Sequence, residues 1–208
     1  MNGTFYQNRI YPRLVHWLGN PKPILDLRKQ IVPLAQGIAL EIGVGSGANF
    51  AHYDVGRIIK LYALEPNPKM LQLAEVERRR TKLNVQFIDS PGERIPLDDG
   101  TVDAVVSTFT LCTIPAVVQT IRSIARVLKP GGKLIFLENS IAADPRVRRW
   151  QKWWEPIHHR VFEGLYLTRD IPSLIAAGGF RIDQMRSLYL ARFPKSWTSC
   201  CCGTAFRQ

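Results

Sequence analysis

The chain has 208 residues, of which 46% are hydrophobic and 22% charged, a composition typical of one folded domain and not of a disordered chain. Its four cysteines form no CxxC pair and no stretch approaches the roughly 18 apolar residues that span a bilayer, which disfavours a zinc ribbon, a secreted disulfide framework and a membrane-spanning helix. The net charge of +11 favours anionic partners without deciding the fold.

Short apolar runs alternate with helical patterns through the middle of the chain. The predicted strands are residues 38–42, 60–64, 84–88, 102–107 and 133–137. The clearest helices are residues 68–80 and 116–128, and the second stops at Lys129-Pro130-Gly131-Gly132, a sequence that ends helices. This alternation predicts an α/β fold with a mostly parallel sheet and right-handed crossovers.

Both ends of the chain break this rhythm. Residues 187–193 and 200–206 are predicted strands, and the link between them is too short for a crossover helix, so they should form an antiparallel hairpin at the sheet edge. A further helix is predicted near residues 6–18. The expected organisation is a single domain, 1–208, with a helical cap (1–36), a core (37–140), a helical lid (141–185) and a closing hairpin (186–208).

A glycine-rich loop follows the first predicted strand, in the sequence Glu41-Ile42-Gly43-Val44-Gly45-Ser46-Gly47-Ala48-Asn49. Glycines there let the backbone turn tightly and approach a ligand, although Gly43-x-Gly45-x-x-Ala48 alone also satisfies a dinucleotide fingerprint. Glu65 ends the second strand, where a carboxylate can accept both ribose hydroxyls, and Pro66 biases it toward an extended conformation aimed at the cleft. Glu41 beside the loop favours a cationic ligand over a pyrophosphate.

Further motifs follow this loop, and together they resemble those of the class I S-adenosylmethionine-dependent methyltransferases. The matching segments, in order over about half of the chain, are 41–47, Glu65-Pro66-Asn67, Gly92-Glu93-Arg94-Ile95-Pro96, Val102-Asp103-Ala104-Val105 and Leu128-Lys129-Pro130-Gly131-Gly132. Within that superfamily the chain is similar to the ubiquinone and menaquinone C-methyltransferase group. Residues 45–50 and 107–112 and Gly164-x-x-Leu167-Thr168-Arg169 resemble in particular the alkyl thiol S-methyltransferases. Asn139 and Leu165 depart from those thiol enzymes, in which we expect His and Cys.

The resemblance implies S-adenosylmethionine as the cofactor, with no metal, and a Rossmann-like sheet of seven strands. It also implies a role for each matching position. The residues that would hold the methionine part of the cofactor are Glu41, Gly43, Gly45 and Gly47, with Asn49 near its carboxylate. Glu65, beside Pro66, would hold the ribose. Gly92 and Glu93 would border the adenine, and Thr108 and Phe109 would form the floor of the cleft.

An aromatic and basic segment, residues 146–162, is predicted to form a helix near the site. Its apolar residues recur at helical spacing and form one stripe, while basic residues lie on the other faces. The stripe consists of Trp150, Trp153, Trp154, Ile157 and Val161. Pro156 is expected to kink or end this helix. The stripe either packs over the sheet or forms a lid that lines the acceptor pocket and touches a membrane surface.

The roof of the acceptor pocket is predicted to be aromatic, which favours an apolar acceptor. The predicted pocket residues are Tyr6, Tyr11, Trp150, Trp154 and Phe162. His158 and His159 are the candidate general bases toward a thiol or hydroxyl, because imidazole titrates near neutral pH. The alternative for each histidine is a packing role in an aromatic helix.

The sequence therefore predicts a cytoplasmic methyltransferase that acts on a small acceptor, namely a thiol, a quinone-like ring or a lipid head group. Three alternatives stay open: a nucleic-acid methyltransferase, a non-catalytic cofactor-binding module and a nicotinamide-dependent oxidoreductase. Nucleic acid is not an expected partner, because the asparagine-proline-proline-aromatic motif of base methylation is missing. Contact with a membrane surface is left open, and the sequence indicates no oligomeric state.

Overall fold

A seven-stranded sheet forms the centre of the computed structural model, which describes residues 21–162, 164–190 and 193–207. The strands are β1 (Gly37–Ile42), β2 (Ile58–Leu64), β3 (Val85–Ile88), β4 (Val102–Thr108), β5 (Leu128–Asn139), β6 (Phe180–Tyr189) and β7 (Ser199–Arg207). Their order across the sheet is β3-β2-β1-β4-β5-β7-β6. β1 to β5 run parallel, whereas β7 is antiparallel to both β5 and β6. The predicted fold class is confirmed.

Helices cover both faces of the sheet. Those described are α1 (Lys22–Ile31), α2 (Pro68–Arg78), α3 (Val117–Val127), α4 (Pro145–Val161) and α5 (Ile171–Ala177). Ala39 and Leu40, neighbours in β1, belong to two different buried apolar clusters because side chains alternate across a strand. α1 and α2 contribute to the first cluster, and α3 and α5 to the second. The result is the three-layer arrangement of an α/β domain.

The strand order reverses next to β1. The chain leaves β1 toward β2 and β3 on one side, then returns to place β4 and β5 on the other side. In open parallel sheets such a reversal separates the loops on either side and leaves a crevice at the carboxyl ends of the strands. The fold therefore predicts a binding site between the ends of β1 and β4.

The closing hairpin is confirmed, but its first strand is longer than predicted. β6 begins at Phe180, whereas the sequence predicted a start at residue 187. β6 is the edge strand and most of its side chains are exposed, so its sequence lacks the apolar alternation that reveals a half-buried strand. β7 lies between β5 and β6 and is buried, including the run Cys200-Cys201-Cys202.

Pro156 lies inside α4 and does not end it, so of the two predicted effects, a kink or an end, the end is wrong. Proline lacks the N–H that would bond the carbonyl four residues earlier, which belongs to Lys152. Both residues are exposed, and water can therefore satisfy that carbonyl. Within the described parts of the chain, no helix combines the length and the apolar content needed to cross a membrane. The helix predicted near residues 6–18 lies outside the described residues.

Candidate active site

A cavity of about 650 Å³ opens at the crevice, a volume within the range of small-molecule sites. One wall follows β1, β2 and β3, and we call it the loop side (residues 42–46, 48, 64–67 and 91–93). The opposite wall, the lid side, comes from residues 109–110, 112–115, 139, 158, 162, 165, 190, 193 and 197–198. α1 contributes Pro21, Ile24 and Arg28, and Thr108 lies where the two sides meet.

The loop after β1 needs glycine at two positions that line the cavity. Gly43 and Gly45 have φ angles of 64° and 56°, in the left-handed region that favours glycine. A Cβ on Gly43 would also lie 2.5 Å from the side chain of Thr110. At Gly45 a Cβ would meet no described atom closer than the Gly43 carbonyl oxygen, at 3.9 Å, so a ligand can approach the backbone there.

Glu65 ties the end of β2 to the glycine loop. Its Oε2 accepts a hydrogen bond from the Gly45 backbone N–H at 3.0 Å, and its Oε1 accepts one from the Asn67 N–H at 3.0 Å. Burial raises the pKa of Glu65, and the two backbone bonds oppose that rise. The carboxylate is thus fixed at the cavity wall, with Pro66 beside it.

A buried polar network lies behind the glycine loop. The Asn49 amide nitrogen donates to the Glu41 carboxylate at 2.8 Å and to the Thr108 hydroxyl at 3.0 Å. The Tyr53 hydroxyl donates to the other Glu41 oxygen at 2.9 Å. Arg28 Nη1 donates to Asn49 Oδ1 at 2.6 Å and to Thr108 Oγ1 at 2.7 Å. The network joins α1 to the carboxyl ends of β1 and β4.

Three of the predicted cofactor residues lie behind the loop and not on the cavity wall. Glu41 and Asn49 are held in the buried network, and Gly47 packs against α2. Burial raises the pKa of Glu41 to about 7, so its carboxylate is only partly ionised near neutral pH. Glu41 is therefore joined to the loop through Asn49, and the contact with the cofactor that the resemblance implies for it stays a prediction.

The other predicted cofactor residues lie on the cavity wall: Gly43, Gly45, Glu65, Pro66, Gly92, Glu93, Thr108 and Phe109. Phe109 has a positive φ of 55°, an uncommon conformation for a bulky residue and one associated with functional sites. Glu138, at the end of β5, accepts hydrogen bonds from the backbone N–H groups of Thr110 and Cys112 at 3.2 and 3.1 Å. Glu138 therefore positions the segment that follows Phe109.

His158 lines the lid side, and its surroundings favour the neutral form of its imidazole. Its Nδ1 lies 3.1 Å from the Trp154 carbonyl oxygen, which can only accept, so Nδ1 carries the proton and Nε2 keeps its lone pair. The ring stacks on Phe162 at 5.6 Å and meets Trp197 edge-on at 5.0 Å. Burial lowers the pKa of His158 and keeps the imidazole unprotonated near pH 7.

Several predicted residues of α4 lie outside the cavity wall, whereas Phe162 lines it as predicted. His159 is exposed and packs its ring on Tyr166 at 4.7 Å. Trp150 is 58% exposed, and Trp154 packs behind the wall against Trp197. Trp150 and Trp154 are therefore corrections to the predicted pocket, and Tyr6 and Tyr11 lie outside the described residues.

Polar contacts, and not the apolar stripe, attach α4 to the body. Gln151 Nε2 donates to the carbonyls of Ser140 and Leu167, and Glu155 accepts from the Thr168 backbone and hydroxyl groups. These bonds turn the face carrying Gln151, Glu155 and His158 inward. Trp150, Trp153 and Ile157 are consequently exposed, at 58%, 60% and 48%, which contradicts the alternative in which the whole stripe packs over the sheet, whereas Trp154 packs against Trp197.

Sequence reasoning missed Arg28 and the two aromatic residues of the β6–β7 link, Phe193 and Trp197. Arg28 had a local signal, because it interrupts an apolar helical stripe that includes Leu27 and Ile31. Phe193 and Trp197 had no local sequence signal, because the pairing of β7 with β5 brings them to the cavity. Within the described residues, no group of His, Cys, Asp and Glu is arranged to hold a metal ion.

Comparisons with known proteins agree with this geometry. The family described as "Methyltransferase domain" matches residues 40–136. Human thiol S-methyltransferase TMT1A is 32% identical over 164 residues, which cover 76% of this chain and 64% of that protein. UbiE of Salmonella arizonae, a ubiquinone/menaquinone biosynthesis C-methyltransferase, is 31% identical over 105 residues, covering 49% of this chain and 42% of that enzyme. Residues 40–136 therefore form an S-adenosylmethionine-dependent methyltransferase domain.

A solved S-adenosylmethionine-dependent methyltransferase from Leishmania major shares the fold of this methyltransferase, with a TM-score of 0.68 at 18% identity. The match covers 96% of this chain and 80% of that one. The chain spans 64% of the length of TMT1A and 54% of human TMT1B. Its own acceptor is therefore inferred from the cavity.

The loop side of this methyltransferase fits S-adenosylmethionine, the cofactor of the family. The Glu65 carboxylate presents two acceptor oxygens to the cavity edge, as a ribose diol requires. Gly45 leaves its backbone uncovered beside it, because the nearest described atom to a Cβ there would be the Gly43 carbonyl oxygen at 3.9 Å. We expect Glu65 to hold the ribose, the loop to hold the methionine part, and Gly92 and Glu93 to border the adenine.

Proposed function

We propose that this methyltransferase transfers the methyl group to the sulfur of a small apolar thiol. The lid side of the cavity carries the proposal, because its wall is mostly apolar and aromatic: Ile114, Phe162, Leu165, Leu190, Phe193 and Trp197. A small number of placed polar groups on an apolar wall is typical of sites for apolar ligands. The name of the relative TMT1A, a thiol S-methyltransferase, supports the same acceptor class.

His158 is the described lid-side group that can take a proton near neutral pH. Cys112 also lines the cavity, but burial raises its pKa well above the usual range, so it stays a neutral thiol and does not compete as a nucleophile. A thiol acceptor attacks as its thiolate, and His158 Nε2 is the base that would remove its proton. The sequence analysis named both His158 and His159 as candidate bases. We propose this role for His158 and not for the exposed His159.

The bound cofactor supplies a methyl group on a sulfonium sulfur, and transfer leaves a neutral thioether and a methylated acceptor. The chain's own contribution is to position the acceptor and exclude water. Phe162 and Trp197 form an aromatic wall around His158. Such a wall excludes water from the thiolate and helps to hold it in line with the bond between the sulfonium sulfur and the methyl group.

Methyl transfer to a panel of acceptors tests the proposal. With labelled cofactor, we expect turnover of hexanethiol and thiophenol, and little turnover of glutathione, a polar thiol, or of RNA. Leu165→Trp, which fills the lid side, should lower turnover at least tenfold while leaving binding of S-adenosylhomocysteine unchanged, and Leu73→Trp on the exposed face of α2 is the matched control. Preferred methylation of a quinol, glutathione or RNA would contradict the thiol assignment.

We also propose that the exposed stripe of α4 contacts an anionic lipid surface. Trp150, Trp153 and Ile157 are exposed on this face, and Arg149 and Arg160 flank it. Tryptophans bordered by basic residues are typical of helices that lie in a membrane interface. Because His158 lies on the inner face of the same helix, this contact would bring the cavity close to an apolar acceptor dissolved in lipid.

Vesicle co-sedimentation tests this contact. Binding should require phosphatidylserine in phosphatidylcholine vesicles and weaken as salt rises. W150Q/W153Q should reduce binding at least tenfold, because each buried aromatic ring contributes roughly 1.5–3 kcal/mol. Ile59→Gln, at an exposed apolar residue of β2, is the control. Equal binding by W150Q/W153Q and the wild type would overturn the contact.

A further inference from the structure

Arg28 is a buried cation whose side chain reaches the cavity from α1. It is 7% exposed and shares the inner face of α1 with apolar residues, including Ile24, Leu27 and Ile31. A buried arginine is costly unless its donors and its charge are both satisfied. The pairing of each donor therefore indicates what Arg28 is for.

Described residues occupy one edge of the guanidinium, and no described residue occupies another. Nη1 donates to Asn49 and Thr108, which fixes the plane of the group. Nε is buried without a hydrogen-bonding partner, and Nη2 has no partner among the described residues. Nε–H and one Nη2–H point in the same direction, and this fork matches the two oxygens of a carboxylate.

The charge of Arg28 is incompletely balanced by its neighbours. Burial raises the pKa of Glu41 to about 7, so this carboxylate is only partly ionised near neutral pH, and burial also raises the pKa of Glu138. Glu138 is also bonded to Ser107 and to the backbone of Thr110 and Cys112. An anionic ligand group in the cavity would supply the missing negative charge.

We propose that the free edge of Arg28 binds the carboxylate of the methionine part of the cofactor. The site lies where α1 meets the ends of β1 and β4, next to the glycine loop and on the far side of that loop from β2, where Glu65 lies. Cofactor binding then clamps α1 onto the sheet, and α1 becomes a cofactor-dependent wall of the cavity. The proposal rests on the family's cofactor and is independent of the acceptor.

Calorimetric titration with two ligands separates this role from a structural one. S-adenosylhomocysteine carries the carboxylate, whereas methylthioadenosine lacks the whole amino-acid part. In Arg28→Gln we expect the affinity for S-adenosylhomocysteine to fall roughly 10- to 100-fold, as for a charged hydrogen-bonded pair, and the affinity for methylthioadenosine to change less than about threefold. Arg28→Lys should fall between, and Lys29→Gln, at the exposed neighbour, is the control.

Wild-type protein gives a second measurement that needs no variant to fold. The carboxamide of S-adenosylhomocysteine should bind about tenfold or more weakly than the parent. Hydrogen exchange of the α1 amides should slow with S-adenosylhomocysteine and not with methylthioadenosine. Equal losses for both ligands in Arg28→Gln, or equal binding of acid and carboxamide, would overturn the proposal. Failure of the wild type to bind either ligand would instead refute the cofactor, whereas failure of acceptor turnover alone leaves this result standing.

Discussion

Glu65→Gln should weaken binding of S-adenosylhomocysteine by roughly 100-fold or more. Glu65 accepts backbone hydrogen bonds from Gly45 and Asn67 with its two oxygens. Glutamine replaces one oxygen with an N–H donor, which would face a backbone donor, and it also removes an acceptor for the ribose diol. Hydrogen bonds to a charged group contribute about 1.5–3 kcal/mol each, and about 1.4 kcal/mol is tenfold in affinity. Calorimetric titration measures the loss directly.

Two control variants separate ligand binding from folding. Glu77→Gln removes a surface carboxylate of α2 that pairs with Arg80 and should leave the affinity unchanged. Glu65→Asp keeps the charge but shortens the side chain, so it should lie between wild type and Glu65→Gln. An unchanged affinity in Glu65→Gln, with a normal thermal transition, would show that another group holds the ribose. Binding of NADH in place of the sulfur cofactor would contradict the family's cofactor for this chain.

The loop side of the site was predictable because each of its parts is local in sequence. Gly43 and Gly45 directly follow a buried strand, and Glu65 with Pro66 directly follows the next one. Parallel strands bring such strand ends together at one edge of the sheet without further information. The sequence did not show how deeply Glu41 is buried: strand packing places it under the loop, where Asn49 and Tyr53 donate hydrogen bonds to it.

The lid side was less predictable because it depends on contacts distant in sequence. The periodicity of α4 identified an apolar stripe but not the face that points inward. The inward face is determined by Gln151 and Glu155, which form hydrogen bonds with Ser140 and Thr168, respectively. No local sequence pattern indicates these bonds. Trp197 reaches His158 only because β7 returns beside β5. Helical spacing therefore predicted the helix correctly but did not decide which of its faces is buried.

His158→Gln should slow methylation of an alkyl thiol about 100-fold, while thiophenol should lose far less. General-base catalysis contributes roughly 10²- to 10⁴-fold, and glutamine keeps the shape of the side chain without its basicity. Thiophenol is already largely ionised near neutral pH and therefore needs no base. His159→Gln, outside the cavity wall, should leave both rates unchanged. Initial rates with saturating cofactor give the comparison.

The pH profile distinguishes a base from a packing residue. Because burial lowers the pKa of His158, its base form is present above that lowered pKa. The wild-type rate with an alkyl thiol should therefore rise as pH increases through the lowered pKa and be level by neutral pH. In His158→Gln the rate should instead keep rising about tenfold per pH unit toward the pKa of the thiol itself, since only the free thiolate reacts. Equal losses for both thiols with an unchanged profile would mean that His158 only packs against Phe162 and Trp197.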